Sequence, residues 1–482
     1  MRKYLAILFF LLGAISAPAQ HTYYISKSLG SDSNTAKQAQ SKSTPWAHLP
    51  GMPSCTSNCA SYTPVPGDRF ILYGGDTWTA SDLGVNWQWS GTSNSPIYVG
   101  VDQTWFTGAS WTRPIFNCQN IQRTVNLGGW YMTFDNIEIT GFRQTVSSGN
   151  GAIIQTGGNY IEIARVYIHS FSAATTTTHS NAIANQCCGN GGIGTYIHDN
   201  VIDGSDSQQT FMGGILHGAT VANNIIRYVY NGMNGAFNDV HGNLVENNYA
   251  SADGDHANMI FIQGPLNGSI VKVYNNVIRH KMLGVTLWLA GLSCGSHTGY
   301  AFNNVIYDGA PGNTINPPGN VGGCSTPRTW YVFNNTVECG NDSNTGVCFS
   351  DSGDVGQADV GTVNFINNHW ITSASPFFCA VLTCSSTTNL KQTVAAAKAR
   401  GYTSSQSQAF SPTTRSGSTT GKGTNEQPIC AAISLIDSEA GTACLNATGY
   451  ACAYNISDHT VSCPAKPLAP RPAGAWDIGA YQ

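Results

Sequence analysis

The sequence predicts an all-β solenoid, one chain wound into stacked coils, and three observations carry that expectation. First, Asn-Asn or Asp-Asn followed by apolar or β-branched residues returns at Asp135-Asn136-Ile137, Asp199-Asn200-Val201-Ile202, Asn223-Asn224-Ile225-Ile226, Asn275-Asn276-Val277-Ile278, Asn303-Asn304-Val305-Ile306 and Asn334-Asn335-Thr336-Val337. The intervals run from roughly 19 to 35 residues, the range over which a solenoid repeat takes in or drops loop residues. Second, alternating apolar residues precede the pairs, as in Ile270-Val271-Lys272-Val273-Tyr274 and Thr329-Trp330-Tyr331-Val332-Phe333, the period-two signature of strands. Third, charged residues make up only 10% of the chain while glycine numbers 53, which suits a turn-rich β architecture better than a helical one.

Each repeat divides into recognisable parts. Asparagine tolerates left-handed backbone angles at a sharp corner, and its side-chain amide can bond the neighbouring coil. Between corners comes a second apolar run, for example Gly151-Ala152-Ile153-Ile154, Gly213-Gly214-Ile215-Leu216 and Asn258-Met259-Ile260-Phe261-Ile262, so every period holds at least two strands. Weaker copies of the corner stand at Ala164-Arg165-Val166, Gly242-Asn243-Leu244-Val245 and Asn367-Asn368-His369. Successive coils should stack ~4.8 Å apart, asparagine on asparagine, with the repeat core over residues 129–372.

This pattern resembles the right-handed parallel β-helix proteins of the pectate-lyase-like superfamily. Thr22-Tyr23-Tyr24-Ile25-Ser26 with Gly30-Ser31-Asp32, then Pro66-Gly67-Asp68-Arg69-Phe70-Ile71-Leu72, is similar to the entry strands of secreted bacterial members. Arg471-Pro472 and Ala475-Trp476-Asp477-Ile478-Gly479-Ala480-Tyr481 is similar to their closing segment. The resemblance implies a right-handed parallel β-helix acting on, or binding, an extracellular polysaccharide. The fold by itself does not give the activity.

The ends are read from composition. Residues 1–19 form a secretory signal: Arg2 and Lys3, an apolar run from Leu5 to Ile15, and Ala17-Pro18-Ala19 ahead of Gln20. The run is short for a span of ~20 residues, so a secreted, periplasmic or cell-surface protein without a membrane span is expected, and a monomer. Residues 20–128 are expected to hold an N-terminal cap, from Trp46 to Ser61, and the first coils. Trp78, Trp87, Trp89, Trp105 and Trp111 follow there as either sugar platforms or core residues. Residues 373–482 form a C-terminal extension, with a short helix over Leu390 to Gly401, a Ser/Thr/Gly-rich excursion from Ser404 to Asn425, a disulfide-tied part from Cys430 to Cys463, and a closing strand. The formal charge of −4 offers no basic field for nucleic acid.

Fifteen cysteines in an exported chain point to disulfides. Cys55 with Cys59, Cys379 with Cys384, and Cys452 with Cys463 are the near pairs. No paired CxxC set supports zinc.

Two clusters carry candidate chemistry. Counting three places from the second asparagine of each corner gives a row, Asp203, Arg227, Glu246, Arg279, Tyr307 and Glu338, that reads either as a solvated salt-bridge ladder or as a groove for an acidic sugar. His179-Ser180-Asn181-Ala182-Ile183 and His256-Ala257-Asn258-Met259-Ile260 share the form His-x-Asn-apolar-Ile, the later copy preceded by Asp253-Gly254-Asp255; His217, Asp239 and His241 fall nearby in the pattern. β-Elimination of a uronate needs the sugar carboxylate neutralised, often by Ca²⁺ on oxygen ligands, and a base for the C5 proton. The lyases of the resembling superfamily use Arg or Lys as that base. Hydrolysis needs two carboxylates instead. The expected catalytic residues are Asp253, Asp255, His256, Arg279 and Lys281; the expected substrate contacts are His179, Asn181, His217, Arg227 and Asn258; and Asp239 and Glu246 are the expected calcium ligands. The Asn-Thr-Asp, Asp-Asp and Gly-His-Gly motifs of polygalacturonases and the Trp-Ile-Asp-His of many pectate lyases do not occur, so no catalytic role is carried over by motif. A lyase is expected, with a hydrolase or a non-catalytic glycan-binding protein as alternatives.

Overall fold

The computed structural model describes residues 20–145, 151–173, 180–185, 192–207, 212–248, 257–266, 268–282, 284–289, 296–309, 314–316, 328–339, 348–351, 361–406, 408–414, 416–446, 452–463 and 469–481. The chain is a parallel β-helix with three walls. One coil places Gly151–Thr156 in the first wall, Ile161–Ala164 in the second and Tyr167–His169 in the third. The next places Ser180–Asn185, Tyr196–His198 and Val201–Asp203 over them, with Ile154 beside Ile183, Ile163 beside Ile197 and Ile168 beside Ile202. These isoleucines point inward and are fully buried, as the alternation of apolar residues dictates. The stack begins at Thr22–Ile25, which pairs with Arg69–Leu72, and ends at Leu390–Gln392 beside His369–Ile371.

Two turns of the helix bring the first and second walls together on one strand. Met212–Ala222 and Met233–His241 run through both, and the corner shrinks to register shifts between Leu216 and Gly218 and between Gly235 and Ala236. Gly235 has φ +129, and a Cβ there would stand 2.4 Å from His217 Nδ1. Only glycine lets that ring lie on the strand.

The corner between the second and third walls divides the work of each asparagine pair. The first member takes the left-handed conformation, as at Asn223 (φ 58), Asn275 (φ 54), Asn303 (φ 55) and Asn334 (φ 52). The second member builds a buried ladder through Asn200, Asn224, Asn243, Asn276, Asn304, Asn335, Asn368 and Asn389. Each of the first seven donates its backbone N–H and its Nδ2 to the Oδ1 of the next, at 2.8–3.1 Å. Asn389 extends the ladder one coil past the point where the sequence period fades. For the same reason Leu390–Gln392 is a strand, and the helix expected from Leu390 begins only at Val394, capped by Thr393 and ended before Gly401 (φ +83).

Trp46, Leu49, Met52 and Cys59 join the core of the first coils, and Cys55 bonds Cys59 as its spacing suggests. Trp78 and Trp87 are fully buried and Trp105 nearly so, so these tryptophans are core residues rather than platforms. Cys379–Cys384 and Cys452–Cys463 also bond as expected, joined by Cys339–Cys348 and Cys430–Cys444.

The C-terminal extension does not simply cap the end. Helices Gln427–Ser434 and Ser438–Cys444 pack Cys430, Ile433 and Ala440 against Tyr274, Tyr300, Phe302 and Phe333 of the second wall. Tyr402, Phe410, Ala480 and Tyr481 cover Val305, Tyr307 and Ile371 of the third. The hairpin Ala453–Asn455 with Thr460–Ser462 lays Tyr454 and Val461 over Val201, Ile225 and Leu244. The closing segment bonds along the corner, with Ala480 N–H donating to Thr336 Oγ1 and Gly479 N–H to Asn367 O. Among the described residues no helix is long and apolar enough to cross a membrane.

Candidate functional site

The charged row of the third wall forms as the spacing predicts. Asp203, Arg227, Glu246, Arg279 and Tyr307 stand in register on successive coils. Arg279 donates from Nε to Glu246 Oε2 at 2.7 Å and from Nη1 to the Tyr307 hydroxyl at 3.0 Å; Arg227 Nε stands 3.4 Å from Glu246 and 3.8 Å from Asp203. Burial works against the Arg227 charge, but Asp203 and Glu246 outweigh it and hold its pKa above the ordinary value. The hairpin covers the row at Asp203 and Arg227, so that end is neither solvated nor an open groove. Tyr454 donates to Asp203 Oδ2 at 3.0 Å and its ring faces the Arg227 guanidinium, leaving Asp203 and Glu246 at most 5% exposed. Arg227 and Arg279 are thereby brought together with Glu246, Arg279 keeping a third of its side chain exposed.

Asp239 lies on the second wall, in register with Lys272. Lys272 Nζ stands 2.6 Å from Asp239 and also pairs with Asp437, while His241 Nδ1 is 2.6 Å from Asp239 and its Nε2 3.5 Å from Glu439. Burial opposes charge on His241, yet Asp239 and Glu439 raise its pKa to about 9. This cluster fastens the C-terminal helix to the wall. Asp239 and Glu246 therefore do not fit a shared calcium site: they sit on different walls, and each already faces two cationic side chains.

The remaining expectations fall on or beside the first wall. Asn181 is half-buried on its strand against Gly213. Asn258 is a buried corner asparagine: its N–H donates to Asn231 Oδ1 at 2.7 Å and its own Oδ1 accepts from Val285 N–H at 3.0 Å. Register places Asn181, Gly213, Asn231 and Asn258 at one position of successive coils. Lys281 is 2% exposed, in the turn leaving the third wall. His217 accepts from Ala236 N–H at 2.8 Å through Nδ1. Its proton is then on Nε2, and burial lowers its pKa so that the ring is neutral at pH 7. His179, Asp253, Asp255 and His256 lie outside the described residues.

The outward row of the first wall was not singled out by the repeat. Asn126, Gln155, Ala184, Leu216, Asn234, Phe261 and Trp288 stand in register on consecutive coils, with Ala184 and Trp288 buried. Gln263 donates to Asn234 Oδ1 at 2.9 Å, and the Phe261 and Trp288 rings stack with centroids 4.4 Å apart. The signal was present as doublets, an inward residue followed by an outward one: Ile154-Gln155, Met233-Asn234, Ile260-Phe261, Leu287-Trp288. Among the described residues, the cluster of Val285, Trp288 and Phe261 on this wall includes none of the C-terminal helices or hairpin. Carboxamides, a neutral imidazole donor and stacked aromatic rings can bind hydroxyl-rich, ring-shaped ligands through hydrogen bonds and apolar ring faces.

No family model matches the chain, and no curated protein does. Among solved structures it is similar to pectate lyase Pel9A, at 12% identity and TM-score 0.45 over 97% of both chains. It is similar to a PL6 family polysaccharide lyase from Pseudopedobacter saltans, at 13% identity and TM-score 0.42 over 78% of this chain and 87% of that one. A GH136 lacto-N-biosidase from Eubacterium ramulus gives 12% identity and TM-score 0.42 over 78% and 68%.

Proposed function

We propose that this chain is a secreted polysaccharide-active protein that takes its glycan along the outward face of the first wall and cleaves it by β-elimination. The observation that carries the reading is the distribution of cover. The C-terminal helices and hairpin pack on the second and third walls, and the first wall carries Asn234, Gln263, His217 and a half-buried Phe261 stacked on the buried Trp288. His217 donates through Nε2 to a sugar oxygen, and the amides orient the chain. Base chemistry is assigned to His256, with Asp253 and Asp255 as its acidic neighbours, because these residues lead directly into Ala257 and Asn258 at the start of a first-wall coil. Arg279 and Lys281 are given no role here, Arg279 being committed to Glu246 and Tyr307 and Lys281 being buried.

The test is a panel of acidic and neutral polysaccharides, with and without chelator, followed by ultraviolet absorbance of unsaturated products and by reducing ends. Both signals should rise together on an acidic polymer, and His256→Ala should abolish them. Reducing ends without unsaturation would make the protein a hydrolase. Binding that is lost in Asn234→Ala, without cleavage of any polymer, would make it a glycan-binding protein.

A further inference from the structure

The outward face of the second wall carries a separate cavity near the N-terminal end of the stack, beyond the reach of the C-terminal helices. Its volume is about 450 Å³, and Arg69, Tyr98, Thr133, Glu162, Arg165 and Asn94 are among the residues lining it. That size falls within the range of ~300–1,000 Å³ of small-molecule sites. Four of the six occupy one register position on consecutive coils: Arg69 beside Tyr98, Tyr98 beside Thr133, Thr133 beside Glu162. Arg165 enters from the adjoining corner, where it takes the left-handed conformation (φ 55).

The acids of this group are already compensated. Glu162 accepts from Thr133 Oγ1 at 2.9 Å and faces His198 Nε2 at 3.0 Å. Asp135 accepts from the Tyr98 hydroxyl at 2.7 Å and pairs with Arg165 Nη2 at 2.8 Å. Arg69 is different. Its guanidinium lies over the Tyr98 ring, 4.2 Å from the centroid, and among the described residues no carboxylate pairs with it. The ring fixes one face of the guanidinium while its N–H fork, which matches a carboxylate in bidentate geometry, is left to the cavity.

The geometry points to a binding site for a single carboxylate-bearing sugar, a hexuronate unit, held by Arg69 on its carboxylate and by Asn94 and Thr133 on its hydroxyls. This site is on a different wall from the proposed cleavage face and does not rest on that assignment. It would hold a free uronate product or the end of a second acidic chain.

Ligand-observed NMR and chemical-shift titration of the whole protein with D-galacturonate, D-glucuronate, D-mannuronate and L-guluronate test it, with D-galactose, D-glucose and acetate as controls. At least one uronate should bind at least tenfold more tightly than its neutral counterpart and than acetate. Arg69→Gln should weaken that binding at least tenfold and Arg69→Lys less, with the far-ultraviolet circular dichroism and thermal midpoint unchanged. Asn234→Ala on the first wall should leave it intact. The site is overturned if no uronate binds, if neutral sugars or acetate bind as well, or if folded Arg69→Gln binds the uronate like the parent. Loss of uronate binding in Asn234→Ala rather than Arg69→Gln would place the uronate on the first wall instead.

Discussion

At the scale of single residues, each asparagine pair solves two problems with one residue type. Asn223 supplies a left-handed backbone, and Asn224 supplies an acceptor for both the backbone N–H and the Nδ2 of Asn200 while donating to Ile197 O and Ala222 O. The two positions should therefore respond oppositely to substitution. Asn276→Ala removes the acceptor for two buried donors of Asn243, each costing about 1–3 kcal/mol when left unsatisfied. Urea denaturation should show a loss of about 2–6 kcal/mol. Asn223→Gly keeps the left-handed angle and should change stability by less than about 1 kcal/mol. The sequence displays these corners because a backbone constraint and a local hydrogen bond act within two residues. It shows the corner at Val166 only as a weaker copy, because Val166 holds the ladder position with only its N–H, bonded to Asn200 Oδ1 at 2.9 Å, and it hides Asn389, which no second asparagine precedes.

At the scale of elements, the C-terminal extension covers part of what reads as a surface charge ladder, burying Asp203 and Glu246. The pairing of Lys272 with Asp437 spans 165 positions of sequence and joins a periodic segment to a non-periodic one. No repeat could have announced it. Titration of this contact has a definite sign. His241 is raised from its ordinary 6.5 to about 9, so its charged form stabilises the docked helix fully below about pH 6.5 and loses that contribution as pH climbs through about 9, up to about 3 kcal/mol in all. Asp437 is held down at about 2, since Lys272 outweighs the cost of burial, so its contribution is present above its ordinary 3.8 and lost as pH falls through about 2. Hydrogen exchange of residues 438–444 should accordingly be slowest between about pH 4 and 6.5, after correction for intrinsic rates, and faster at about pH 9.5. In His241→Gln the alkaline acceleration should vanish. Tyr454→Phe removes the hydroxyl on Asp203 and should destabilise by about 1–3 kcal/mol, read from the thermal midpoint.

At the scale of the whole molecule, a solenoid offers as many long faces as it has walls, and what distinguishes them is what lies on top. The coil order, the stacking of Asn224, Asn243, Asn276 and Asn304, and three of the disulfides are legible in the sequence because each depends on neighbours within one period or one loop. Which walls the C-terminal helices and hairpin cover is not, because that depends on where they fold back. This is why Arg227, Glu246 and Arg279 read from their spacing as either a solvated ladder or a groove and prove to be a ladder partly covered by the hairpin. The account's central claim is that glycan is taken along the first wall. Hydroxyl-radical footprinting with and without an oligosaccharide of the preferred polymer tests that claim most directly. The account predicts protection of Phe261, His217 and Leu216 with Tyr331 and Phe410 unchanged; protection confined to the second or third wall, with Phe261 and His217 as reactive as in the free protein, would contradict it.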